Sequence, residues 1–235
     1  MKHILFAFLT LSFFTAAGQT ADEIVQQHAN AMGGLDAFNK VSTYKMTGSA
    51  SAQGMDLPVT TVIINGKSMR TDVEVMGQSI TNVYHNGTGW KINPFAGATE
   101  ATEVTGTELI DFKAQTSLAS NLMDYKQRGH KVELLEPVTE EGIKMFRLKL
   151  TAKEDGRVTT YFINSTDFLV KKSVTLREIQ GQEMEITTFY SDYKEFGGLK
   201  FAGIRRQEVM GQVMQELHLE KVELNLTIDE SVFNK

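Results

Sequence analysis

Met69-Arg70-Thr71-Asp72-Val73-Glu74-Val75 alternates without a break between Met69, Thr71, Val73 and Val75 and the charged Arg70, Asp72 and Glu74. A period of two sends successive side chains to opposite faces, so this run predicts a strand with one apolar and one wet face. Met76-Gly77-Gln78 closes it, and the same short pattern returns as Gln180-Gly181-Gln182 and Met210-Gly211-Gln212. Each sits between two alternating runs, where glycine turns the chain through positive φ at little steric cost. Asn65-Gly66, Asn86-Gly87 and Glu154-Asp155-Gly156 are further hairpin signals.

The alternation continues along the chain. Phe146, Leu148 and Leu150 alternate with Arg147 and Lys149. Met184, Ile186 and Thr188 alternate with Glu183, Glu185 and Thr187. Val170, Val174 and Leu176 stand against Lys171, Ser173, Thr175 and Arg177, which read as the wet face. The pattern predicts about ten or eleven antiparallel strands in two batches of hairpins.

Helical periodicity appears in two places. Thr20-Ala21-Asp22-Glu23 matches a capping box, and Ile24, Val25, His28, Ala31 and Met32 follow at helical spacing up to Gly33-Gly34. Leu35–Val41 predicts a second short helix. Between the two batches of strands, Thr105–Asp124 opens on another capping-box pattern, Thr105-Gly106-Thr107-Glu108. It then carries an apolar stripe of Leu109, Phe112, Ala119, Leu122 and Met123. A helical insert between strands must bury such a stripe, and the inner face of a curved sheet is the natural place. The expected class is therefore mainly β with a helical lid (α+β): an incomplete antiparallel β-barrel of about eleven strands covered by helices.

Residues 1–18 read as a secretory signal, with Lys2 and His3 before the apolar run Ile4–Phe14 and the small residues Ala16-Ala17-Gly18. The run falls short of the roughly 20 apolar residues a membrane span needs. Cleavage near Gly18 would deliver a soluble protein to the periplasm, leaving residues 19–235 as a single domain. Cysteine is absent from the 235 residues, so disulfides, thiol catalysis, Cys-ligated metals and a lipidated N-terminal Cys are excluded. The formal net charge of −5 offers no basic excess for phosphates, which argues against nucleic acid. No nucleophile, phosphate-loop or metal-ligand spacing occurs, so no catalytic residue, metal or cofactor is expected. His28, His85, His130 and His218 are scattered and read as surface or satisfied core residues. The eleven methionines admit two readings, ordinary core filling or a deformable wall for a ligand of varied shape.

The stretch Tyr84-His85-Asn86-Gly87-Thr88-Gly89-Trp90-Lys91-Ile92-Asn93-Pro94-Phe95, followed by Ala101-Thr102, resembles the lipoprotein-carrier family LolA. That family carries a D-G-x-x-x-W-x-x-N-P-F hairpin. Here Asn86 replaces the Asp and one residue fewer separates turn from Trp90. The order of elements agrees as well, down to a closing acidic segment Ile228–Phe233. The resemblance implies an apolar cavity that takes acyl chains of lipoproteins or other lipids. It also implies a monomer that works with sorting proteins of the inner and outer membranes; a lipid-sensing adaptor module of the same fold is the alternative. The expected lining comprises Trp90, Ile92 and Phe95 of the hairpin and Leu109, Phe112, Leu122 and Met123 of the insert. From the strands it takes Val73, Ile80, Phe146, Leu148, Met184 and Ile186. The family arginine that latches the lid is missing: the corresponding turn reads Asn65-Gly66-Lys67. That departure predicts a lid that opens more easily.

Overall fold

The computed structural model describes residues 19–235 apart from 53, 180 and 181. The proposed signal and the Gln180-Gly181 turn lie outside the described residues. Two helices come first, α1 (Ala21–Met32) and α2 (Leu35–Asn39). Thr20 and Glu23 form the full reciprocal capping box, and Gly33 ends α1 in a left-handed conformation. A Cβ at Gly33 would lie 2.4 Å from the carbonyl oxygen of Gly198, so glycine also permits the close approach of α1 to the sheet.

Six strands follow: β1 (Thr43–Ala52), β2 (Met55–Ile64), β3 (Ser68–Val75), β4 (Gln78–His85), β5 (Thr88–Asn93) and β6 (Ala98–Val104). The insert holds α3 (Gly106–Ala114) and α4 (Tyr125–Arg128). Seven more strands complete the chain: β7 (Lys131–Glu140), β8 (Ile143–Thr151), β9 (Val158–Asn164), β10 (Val170–Ile179), β11 (Gln182–Phe196), β12 (Leu199–Val209) and β13 (Gln212–Leu224). All thirteen described strands belong to one antiparallel sheet in the order β6-β5-β4-β3-β2-β1-β13-β12-β11-β10-β9-β8-β7. The expected architecture holds: the sheet is an open barrel with β6 and β7 as its edges, under a helical lid. The strand count exceeds the predicted eleven because strands such as β6, Ala-Thr-Glu-Ala-Thr-Glu-Val, lack a clear apolar alternation.

The chain reverses β1 and β13 against each other, so the first and last strands sit side by side at the centre of the sheet. Every hairpin of the first batch therefore lies on one side of this seam and every hairpin of the second batch on the other. The sheet curls about the seam until Thr61 and Thr71 of the first batch line the same cavity as Thr159 and Thr175 of the second. Phe38, Tyr44, Ile63, Met69, Phe112 and Met123 join α2, α3 and the central strands in one core cluster. Ile24 and Val25 of α1 meet Leu122, Leu148 and Leu150 in a second.

The insert differs from the sequence expectation in two respects. The helix stops at Ala114, and residues 115–124 run as turns before α4. Thr105 makes no capping hydrogen bond; Glu108 instead reaches sideways to Lys91, 2.7 Å away. The α4 end of the lid is held by polar contacts as well. The Tyr125 hydroxyl donates to Asp22 of α1, and Lys126 pairs with Asp22 at 2.5 Å. These contacts hold the Asp22 carboxyl below its ordinary range, the Lys126 hydrogen bond being the largest cause.

Candidate functional site

The site is a cavity of about 630 Å³ between the inner face of the sheet and the lid. That volume lies within the range of small-molecule and cofactor sites. The floor is built by strand parity. Directly paired residues of antiparallel strands point to the same face, so Thr61 and Thr71 arrive together, with their hydroxyls 3.0 Å apart. Thr159 and Thr175 do the same across β9 and β10, also at 3.0 Å. Ser173 hydrogen-bonds the Tyr190 hydroxyl at 3.1 Å. Tyr44, Met46, Ile63, Met69 and Phe201 supply the apolar wall. Burial pushes the phenols of Tyr44 and Tyr161 well above their ordinary value, so both stay protonated and neutral.

The roof is the lid from Ile110 to Asn121. Asp111 of α3 reaches across to the far batch of strands, accepting from Arg157 at 2.5 Å and Arg177 at 3.0 Å. Asn65 fixes the other side. Its side-chain amide donates to the Val41 carbonyl at 2.7 Å, and its Oδ1 accepts from the Leu118 N–H at 3.1 Å. The adjacent Gly66 N–H donates to the Thr116 carbonyl at 2.9 Å. The Asn65-Gly66-Lys67 turn thus ties the lid segment to the sheet through Asn65 and the Gly66 backbone.

A smaller space of about 170 Å³ adjoins the first. The two share Met46, Thr61, Phe201 and Arg205, and the smaller one continues along β1, β2 and β13 past Val59, Leu217 and Leu219. The combined groove is therefore apolar toward one end and rich in hydroxyls and charge toward the other.

None of the residues expected to line a cavity lines either of these two spaces. Trp90 lies on the opposite face of the sheet. Its neighbour Gly89 faces the lid, where an added Cβ would sit 2.8 Å from the Leu109 side chain. Trp90 itself is buried against Val83 and Phe233 and donates from its indole N–H to the Phe233 carbonyl at 3.2 Å. The closing segment is thus a cover for the outer face: Phe233 stacks on His85, and Arg70 donates to the Val232 carbonyl. Ile92 packs on this outer cluster. Phe95 is 52% exposed on a 3-10 turn in which Asn93 accepts from two backbone N–H groups. The N-P-F residues are turn chemistry here.

Leu109, Phe112, Leu122 and Met123 do point inward, but they fill the core clusters beneath the lid. Leu148 is fully buried under α1, and Phe146 stacks on Phe168. Val73, Ile80, Met184 and Ile186 share the inner face by register, since Val73 pairs with Val59 and Ile80, and Ile186 with Thr175. They lie half-buried outside the lined space. Sequence reasoning missed Ser173, Thr175 and Arg177 because polar residues at period two read as a wet outer face, whereas Thr188 lies on the face that it shares with Met184 and Ile186, as read. In β10 the apolar Val174 and Leu176 face outward, paired with Thr187 and Glu185, so the two faces of that strand are the reverse of the sequence reading.

No family profile and no curated protein matches the sequence. Solved structures do match. A LolA superfamily protein from Nitrosomonas europaea superposes with a TM-score of 0.62 at 14% identity, covering 93% of this chain and 99% of its own. This chain has the LolA-like fold. A DUF1329 family protein from Desulfovibrio piger gives 0.62 at 11% identity, over 92% and 98% of the two chains. An outer membrane lipoprotein-sorting protein domain from Vibrio parahaemolyticus gives 0.59 at 12% identity, over 92% and 96%. The LolA-like fold therefore extends over nearly the whole described chain. No helix among the described residues is long and apolar enough to cross a membrane.

Proposed function

We propose that this protein is a periplasmic, non-enzymatic carrier that holds the acyl chains of lipoproteins or other lipids in the groove beneath its lid. The supporting observation is the groove itself: about 630 Å³, adjoined by a smaller space along β1, β2 and β13, in a fold shared with a lipoprotein-sorting domain. Burying an acyl chain contributes about 0.8 kcal/mol per CH₂. Ten carbons in the smaller space would supply several kcal/mol before the loss of ligand freedom is subtracted. Release to a membrane or to a sorting protein then needs only that the lid segment held by Asn65 and Asp111 move. The chain acts in this reading as a monomer that hands its cargo between membrane-bound partners.

Native mass spectrometry of the protein purified from its own periplasm tests the reading, together with displacement of a fluorescent alkyl probe. A lipid or acylated protein should co-purify, and Thr71→Trp, which fills the groove, should abolish both signals while the protein stays folded. A protein that carries no lipid and takes up no alkyl probe is not a carrier.

A further inference from the structure

The charge around the groove runs against the charge of the molecule. The chain has a formal net charge of −5, yet Lys113 and four arginines line the larger space against three carboxylates. Three of those arginines are committed. Arg128 pairs with Asp124, Arg157 with Asp111 and Asp155, and Arg177 with Asp111. Arg205 is different: among the described residues it is the one arginine with neither a hydrogen bond nor an ion pair. It stands on β12 opposite Tyr190 of β11 and Leu217 of β13, and it lines both spaces. It thus marks the junction between the hydroxyl-rich and the apolar ends.

A guanidinium left uncompensated at the head of an apolar channel is a receptor for a carboxylate or phosphate. We infer that the groove selects amphiphiles with an anionic head, the head received by Arg205 and the alkyl chain laid along Met46, Val59, Leu217 and Leu219. This inference rests on the carrier reading and adds the class of cargo to it. The committed arginines cannot take that role without giving up Asp111 or Asp124. The exposed position of Arg205 lets it bind without breaking an existing contact.

The test compares dodecyl phosphate, laurate and uncharged dodecanol as competitors for a neutral fluorescent alkyl probe. The wild type should bind the two anions about tenfold more tightly than dodecanol, a preference that shrinks at high salt. Arg205→Gln should erase the preference between the anions and dodecanol, and Arg205→Lys should restore part of it. Inorganic phosphate alone should compete poorly, since it lacks the chain. Equal affinity for all three amphiphiles, or a preference that survives in Arg205→Gln, overturns the inference and leaves the carrier reading standing. Phosphate competing as well as dodecyl phosphate also overturns it. Binding of none of the amphiphiles sinks the carrier reading with it.

Discussion

Asn65→Ala is expected to loosen the lid without unfolding the sheet. The wild-type side chain makes two well-placed hydrogen bonds, to the Val41 carbonyl at 2.7 Å and from the Leu118 N–H at 3.1 Å. A third contact, to the Phe38 carbonyl, is at the 3.5 Å limit and is not counted. Each good bond is worth about 1 kcal/mol net, and truncation adds part of the cost of leaving a half-buried carbonyl and N–H unpaired. The sum is about 2–3 kcal/mol in the closed-to-open equilibrium, or roughly 30- to 150-fold. The Gly66–Thr116 backbone bond remains, so the segment is weakened and not freed. Amide hydrogen exchange reads this directly. The Leu118–Met123 amides should exchange faster by that factor, while those of Leu148 and Ile163 stay protected. Asn65→Asp keeps the acceptor for Leu118 but sets a carboxylate against the Val41 carbonyl, and should loosen the lid at least as much at neutral pH. If Leu118–Met123 exchange in Asn65→Ala at the wild-type rate, Asn65 is not what closes the lid and the hydrogen-bond reasoning fails.

Three further outcomes are expected. Trp90, the single tryptophan, is 5% exposed on the outer face, so its emission should stay constant as an alkyl ligand fills the groove. Phe233→Ala should shift that emission to the red; a large ligand-induced change in the wild type would place the binding space elsewhere. Met76 and Met210 occupy positive φ of 48° and 51° at hairpin tips and are 84% and 83% exposed. Since Asn tolerates that conformation better than Met, Met76→Asn and Met210→Asn should each stabilise by about 0.5–1 kcal/mol in urea unfolding, with a loss of stability as the refuting result. His28 is 3% exposed, with Nδ1 2.9 Å from the Phe168 carbonyl, and burial lowers its pKa. A lowered native pKa means that the unfolded chain takes up the proton first. Stability should therefore fall as pH drops below about 6.5, by up to about 1.4 kcal/mol per pH unit. His28→Gln should flatten that slope between pH 7 and 5; identical slopes in variant and wild type would remove His28 as the cause.

The amino-acid sequence by itself determined the local structure. Thr20 and Glu23 cap α1 because capping needs only residues three apart, and Asn86-Gly87 turns β4 into β5 because turn conformation is a property of a few neighbouring dihedrals. Period-two alternation fixed that Met69 and Thr71 share a face, and the W-x-x-N-P-F hairpin pointed to the fold. Which face is inner, and what lies against it, was not local. Trp90 and Gly89 are adjacent in the chain, and parity sends one outward under Phe233 and the other inward under Leu109; only the path of the C-terminal segment and the lid decides which. The same holds for Thr175 and Arg177. Their polarity reads as solvent exposure until the curled sheet brings them opposite Thr61 and beneath Asp111. Large apolar side chains gain most by packing against one another, so the lid's Leu, Phe and Met residues close the core. The residues left around the groove are those whose hydroxyls and charges keep it from collapsing into that core.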